Sequence, residues 1–489
     1  MESPKLKKWG EQWLEEATIA QMQQAMESGK LTSKDLVLMY LNRIALYDHQ
    51  VKSVLEINPD ALHSAAALDA ERQASGSRGP LHGIPVLIKD NIDTSDKMHT
   101  SAGSLALKDS FAQKDSFVAE KLRAAGAVIL GKTNMTEWAN FMTEGMPSGY
   151  SSRGGQTLNP YGPGKFDVGG SSAGSGAAVA ANFAAAAVGT ETSGSILNPS
   201  VQNSLVGIKP TVGLISRRGI IPIAHTQDTA GPMARTVADA ASLLTALTGK
   251  DASDPVTLTN PLSETDFTVF LKKEGLEGKR IGLAWDGFFE KVDKEKRAVL
   301  EEVLPILKNS GAEWVGKVEI PSAEIDWKYD VLTYEFKPDL NAYLSQLAPS
   351  VAIRSLQDLI EFNHENAEEM LKYGQIQLIR SEETSGSLKE PAYIETLEFD
   401  FYHAAEQGID FALEKDQLDV LVFPSDEGSH ISAKAGYPSI AVPVGYTSNG
   451  KPVGVTFAGT AYSEPVLIEI AYAFEQITKA RKAPKLGSV

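Results

Sequence analysis

The chain has 489 residues, long enough for two to four domains or for one large α/β domain. Its 46 Lys and Arg against 63 Asp and Glu give a net charge of -17, which favours solubility and disfavours nucleic acid or anionic membranes as partners. There is no cysteine, so disulfides, thiolate metal sites and a cysteine nucleophile are excluded together.

Along the chain, helical and strand signals alternate. The N-terminus lacks the apolar segment of a signal peptide, and Thr32 with Asp35 resembles a capping box ahead of LVLMYLNRIALY. SVLEI reads as a strand, and Asn58 with Pro59 supplies a cap and a first-turn proline for a helix through Ala74. IPVLIKD is a buried strand ending in Lys89; Asp115 opens the next helix and Gly126 closes it before the strand AVILG. From Val168 to Ile208 the only ionisable side chain is Glu191, and the abundance of Gly, Ser and Ala lets backbones approach closely. The longest weakly polar run, Gly176 to Gly189, is broken by Asn182 and is shorter than the ~20 residues of a membrane span. A soluble, cytoplasmic protein is expected; a leader removed by processing leaves no trace in such a sequence.

Thr236 and Asp239 cap the following helix, and KDASDPVTLTNPLSETD reads as a linker. KRIGLAW, a helix over Lys294 to Lys308, and AEWVGKVEI form a βαβ unit. A charged, mainly helical stretch comes next, then the strands LDVLVFP, SIAVPV and VGVTFAG and a helix begun by Ser463 and Pro465. The expectation is a single α/β domain over residues 1–489. It has N-terminal helices over 11–48, a catalytic core over about 53–250, and a mostly helical insertion over about 260–416 before the closing strands and helix.

Two motif matches fail on context. GAVILGKT (Gly126 to Thr133) has the spacing of a phosphate loop, but its four intervening residues are those of a strand, so Lys132 is expected at the surface or a strand end. GSSAG (Gly170 to Gly174) fits a nucleophile elbow with Ser172 attacking, yet YGPGKFDVG before it makes no convincing strand. His225, His364, His403 and His430 lie downstream and keep this elbow as an alternative. The eight histidines show no HExxH or paired spacing, so no metal site is expected.

GTETSGSI (Gly189 to Ile196) turns sharply through Gly194 after a small-residue strand. Such a turn can aim several N–H groups at one point, as an oxyanion hole requires; it is equally the turn of a capping Ser195. Lys89, ending an apolar strand, can be neutral through desolvation and act as a base, or can pair with Asp90 as a strand-end ion pair. Residue chemistry leaves both questions open.

GIPVLIKDNI, GKTN, GGSSAGSG, GTETSGSI, VGIKPTVG and DTAGPMARTVADA together resemble the amidase signature family of serine hydrolases, from about Leu31 to the C-terminal helix. Within it, SSRGGQTLNPY, SRRGIIPIAHTQDTAGPM and AGTAYSEPVLIEIAYAFEQ are most similar to bacterial peptide amidases. The resemblance implies an α/β fold with a large mixed central sheet flanked by helices on both sides. It also implies a catalytic triad of Lys89 as base, Ser171 as relay after a cis peptide, and Ser195 as nucleophile. The backbone N–H groups of Thr192, Ser193, Gly194 and Ser195 would bind the oxyanion, with Gly170, Ser172, Thr190, Glu191, Gln227 and Asp228 in support. Trp138 and Met142 are candidates for the acyl pocket, with core packing the competing use. The implied reaction hydrolyses a peptide or small-molecule carboxamide to carboxylate and ammonia through an acyl-enzyme, with no cofactor, no metal and no obligate protein partner. The alternative within the family is the glutamine-hydrolysing component of an amidotransferase. Leu197 and Asn198 stand where some members carry arginine, which disfavours a substrate with a free carboxylate there.

Overall fold

Residues 3–487 are described by the computed structural model. Three helices lead the chain: α1 (Pro4–Gln12), α2 (Ile19–Glu27) and α3 (Ser33–Tyr47). Capping boxes start the latter two, Thr18 with Gln21 and Thr32 with Asp35, each satisfying N–H groups that a helix leaves free. Strand β1 (Val54–Ile57) precedes α4 (Ala61–Ser75), whose cap position is Asp60, not Asn58. Asn58 instead accepts from Asp60 N (2.9 Å) and donates to the Ile129 carbonyl (2.9 Å), tying the turn to the neighbouring strand. After β2 (Pro85–Lys89) comes α5 (Phe117–Ala124), capped by Ser116; Asp115 is taken up by Arg123 and Ser95 N.

Strand β3 (Val128–Thr133) and the hairpin β4 (Tyr150–Ser151) and β5 (Gly155–Gln156) lead to α6 (Ala173–Ala180), β6 (Ala186–Glu191) and α7 (Leu197–Gln202). β7 (Val206–Lys209), β8 (Thr229–Ala234) and α8 (Val237–Leu247) complete this half. The stretch expected as a linker is folded in: Asp254 pairs with Arg217, Asp251 with Arg218, and Thr257 is buried. Its acidic side chains find partly buried cations, so it packs. β9 (Arg280–Leu283), α9 (Lys294–Lys308) and β10 (Glu313–Val315) form the parallel unit expected from the sequence. A helical region follows: α10 (Asp330–Ser345), α11 (Leu356–Glu365), α12 (Ala367–Met370), α13 (Ile376–Glu382), α14 (Pro391–Phe401) and α15 (Asp410–Asp416). β11 (Val420–Pro424), α16 (Ser429–Ala435), β12 (Ser439–Tyr446), β13 (Pro452–Ala458) and α17 (Glu464–Thr478) close the chain.

Eleven strands make one mixed sheet in the order β1-β3-β2-β6-β8-β7-β12-β13-β11-β9-β10, flanked by helices as expected. β2 runs parallel to both β3 and β6, with Lys89 opposite Thr133 and Ile88 opposite Val188. The carboxyl ends of three parallel strands therefore meet at one edge, where open α/β sheets place their ligands. Close approach there demands glycine. A Cβ on Gly189 would sit 2.8 Å from Ser172 Oγ, and one on Gly131 would sit 2.3 Å from the Glu56 carbonyl. Gly131 thus serves strand pairing, which is why the phosphate-loop spacing arose without a phosphate loop.

A second apolar core lies apart from the sheet's own. Trp138, Phe141 and Met142 pack with Phe336 and Leu340 of α10 and Leu378 of α13, holding the helical region against the loop that follows β3. No helix among the described residues is long and apolar enough to cross a membrane.

Candidate active site

Lys89 ends β2 with no exposed surface, and its Nζ lies 2.7 Å from Ser171 Oγ, 2.9 Å from Ser172 Oγ, 2.9 Å from Thr190 Oγ1 and 3.2 Å from the Thr190 carbonyl. All four neighbours are uncharged oxygens. Asp90 faces elsewhere: its Oδ2 accepts from Ser101 Oγ and from Gly103 N (2.9 Å), and Arg153 stands 3.5 Å from Oδ1. The strand-end ion pair is absent among the described residues, because consecutive strand residues point to opposite faces. Burial pushes the Lys89 amine down to about 7, against the pull of Glu191 and Asp228.

The Gly170–Ser171 peptide is cis. Ser172, the N-cap of α6, is fully buried; its Oγ donates to the Thr190 carbonyl (3.0 Å) and accepts from Thr190 N (3.2 Å) and Lys89. No strand leads into it from residues 157–171. With its proton committed and no opening to a substrate, Ser172 fails as an elbow nucleophile.

Residues 191–197 wrap around one carboxylate. Glu191 accepts from Gly194 N (2.8 Å), Ile196 N (2.7 Å) and Leu197 N (2.9 Å), while Gly194 takes a φ of 83°. This curl sets Ser195 at the mouth of α7, with the Ser195 carbonyl accepting from Ser172 N (3.2 Å). Ser195 Oγ makes no hydrogen bond among the described residues and lines a cavity, with 8 % of the residue exposed. The backbone N–H groups of Thr192, Ser193 and Ser195 likewise have no acceptor among the described residues. Gly194 does not join them: its N–H is consumed by Glu191, which corrects the expectation of four oxyanion donors. From below, Gln227 Nε2 donates to the Thr192 carbonyl (3.1 Å), and Thr192 Oγ1 donates to Asp228. Burial raises Asp228 to about 6.

The cavity in front of Ser195 holds ≈ 270 Å³. Gly170, Thr192 and Ser193 form its floor; Ala139, Phe141, Met146, Ile223 and Leu332 give apolar walls; Glu144, Tyr329 and Gln377 stand at its polar side. Trp138 and Met142 do not line it. They are 2 % and 1 % exposed and belong to the second core, so packing decides their use. The cavity wall instead comes from the next residues, where Trp138, Ala139 and Asn140 all adopt left-handed backbone. Tyr329, Leu332 and Gln377 belong to the helical region, whose sequence carries no motif that could have nominated them. His430 was visible only as a histidine downstream of the elbow; its Nδ1 lies 2.8 Å from Ser193 Oγ.

Lys132, expected at the surface or a strand end, has no exposed area and donates to the Ile92 carbonyl and to Thr100 Oγ1 (2.9 Å). Among the described residues one group has metal-ligand chemistry: His225, Glu335 and Asp339. Its oxygens already accept from Thr226, Tyr393 and His225, so no ion is assigned to it.

Known proteins resemble the chain in sequence and fold. The family model described as Amidase matches residues 35–433. The native peptide amidase from Stenotrophomonas maltophilia superposes with a TM-score of 0.90 at 46% identity, over 96% of this chain and 99% of that one. An Arabidopsis thaliana protein named "Probable amidase" is 42% identical over 96% of this chain and 92% of its own length. A glutamyl-tRNA(Gln) amidotransferase component from Thermosynechococcus vestitus is 34% identical over 94% of this chain and 98% of its own length.

Proposed function

Because the chain belongs to the amidase signature family and is an amide-hydrolysing enzyme, we propose that it removes ammonia from the C-terminal carboxamide of a peptide or a related neutral amide, with Lys89, Ser171 and Ser195 as its catalytic residues. One observation carries the assignment of roles: a fully buried lysine surrounded only by neutral oxygens, 2.7 Å from Ser171, beside a serine open to a cavity.

In the neutral amine, two N–H groups donate to Ser172 Oγ and to Thr190, leaving the lone pair for the Ser171 hydroxyl. Ser171 passes its proton to Lys89 while taking that of Ser195, whose Oγ attacks the amide carbon. Negative charge then grows on the carbonyl oxygen. The N–H groups of Thr192, Ser193 and Ser195 stabilise it, each worth roughly 3–4 kcal/mol in such a site. The proton returns from Lys89 through Ser171 to the nitrogen, and the C–N bond breaks to release ammonia. Water gives a proton to the same relay and attacks the acyl-enzyme; the carboxylate leaves and Ser195 regains its hydrogen.

The residues that follow Ser195 support this substrate class. Leu197 is fully buried, and Asn198 is occupied by Gly170 N (3.0 Å) and Asp426 (3.0 Å), so neither offers a cation to a free carboxylate. The cavity sets apolar walls beside hydrogen-bonding groups and, among the described residues, has no Lys or Arg in its lining, which suits a neutral, amide-bearing acyl group. Independence from a partner is part of the proposal, set against the amidotransferase reading. Ammonia release by the purified chain decides, screened over peptide amides, fatty amides, aryl amides and glutamine. Turnover of peptide amides without ATP or a second protein is expected; activity on glutamine alone, and only with a partner, overturns it.

A further inference from the structure

Two carboxylates of α10, outside the groups that the amide chemistry uses, reach the loop under the catalytic turn. Glu335, with no exposed area, accepts through Oε2 from Thr226 N (3.1 Å) and Thr226 Oγ1 (3.0 Å) and through Oε1 from Tyr393 Oη (2.9 Å). One helical turn on, Asp339 Oδ2 accepts from His225 N (2.8 Å) and lies 2.9 Å from His225 Nδ1. The loop so gripped runs into Gln227 and Asp228, which bind the carbonyl and hydroxyl of Thr192. Asp228 closes the loop on itself by accepting from Ile223 N (2.8 Å) and Ala224 N (3.0 Å). Thr192 needs these bonds, because β6 ends its pairing one residue earlier, at Glu191 opposite Thr229. A continuous series of hydrogen bonds therefore joins α10 to residues 225–228 and to the first oxyanion donor.

We propose that Glu335 and Asp339 are positioning residues that fix the oxyanion turn through residues 225–228. Oxyanion donors act only when held at the place where charge develops, so a turn released by a fraction of an ångström loses rate before it loses fold. The proposal rests on the reading of Thr192, Ser193 and Ser195 as those donors. It assigns the helical region a part in the chemical step beyond shaping the cavity.

The test compares Asp339→Ala, Asp339→Asn and Glu335→Ala with Ser195→Ala, measuring kcat and KM on a peptide amide and inhibition by the matching peptide aldehyde. The aldehyde's hemiacetal oxygen occupies the oxyanion position. In Asp339→Ala and Glu335→Ala, kcat should fall about tenfold or more with KM within about threefold, and aldehyde affinity should fall in parallel. Asp339→Asn, which keeps an acceptor for His225 N, should recover most of the rate. Unaltered kcat, or a fall in kcat with unchanged aldehyde affinity, overturns the proposal. If Glu335→Ala does not fold, Asp339→Ala decides alone, since that side chain is partly exposed. An active Ser195→Ala enzyme overturns the assignment of the turn itself; an inactive one beside unaltered α10 variants overturns only the clamp.

Discussion

Lys89 and Lys132 occupy neighbouring strands within one residue of the same register, and both are shut away from water. Both amines donate to uncharged oxygens, and they differ in the carboxylates that surround them. Lys89 meets three hydroxyls and a carbonyl, with the carboxylates of Glu191 and Asp228 acting on it at a distance; Lys132 meets a hydroxyl and a carbonyl, with those of Asp90, Asp93, Asp96 and Glu56 acting on it at a distance. Burial lowers both amines, but carboxylates pull Lys132 back toward the cation, while hydroxyls give Lys89 partners for either state. Burial alone therefore does not make a base; the surrounding carboxylates and a hydroxyl placed to relay the proton decide.

Substitution at each site sharpens that contrast. Lys89→Met should lower kcat/KM by ~10²–10⁴ or more in an ammonia-release assay, the range of a lost general base, while the protein still folds. Between about 7 and the ordinary 10.5 the unfolded chain holds a proton at residue 89 that the folded chain does not, so stability from this group rises with pH across that window. The methionine variant should lose that slope in melting curves, and a wild-type slope would break the claim of a neutral amine. Lys132→Met should do the reverse. It strips the buried Ile92 carbonyl and Thr100 hydroxyl of their donor and removes a positive charge near Asp90 and Asp93, costing about 1–3 kcal/mol, with kcat of the folded fraction within about threefold of wild type. Catalytic loss without a fall in melting temperature would erase the distinction between the two lysines. Smallest is Ser172→Ala, which removes one acceptor from Lys89 and should cost about tenfold in kcat; abolished activity would return Ser172 to the role of nucleophile.

How far the sequence reaches depends on the same physics. The strands around the site are legible because apolar runs, caps and a lysine at a strand end are local signals, and the small-residue stretch from Val168 to Ile208 announces close packing. Asp115 and Asn58 mimic caps because a turn holds several candidate side chains and tertiary partners choose among them. Lys132 resembles a surface residue in the sequence because the carboxylates acting on it arrive from other segments, at residues 56 and 90–96. The Glu191 contact with Gly194 N depends on a left-handed turn and cannot be seen in the letters. Least legible are Tyr329, Leu332, Gln377 and Glu335, which reach the site from a helical region through folding alone.

The pH dependence of kcat/KM on a peptide amide tests the base role of Lys89 most directly. With the amine at about 7, the rate should fall about tenfold per pH unit below that value and level off above it, with the acid limb absent from residual activity of Lys89→Met. A profile flat through pH 7, or an acid limb unchanged in Lys89→Met, would contradict it.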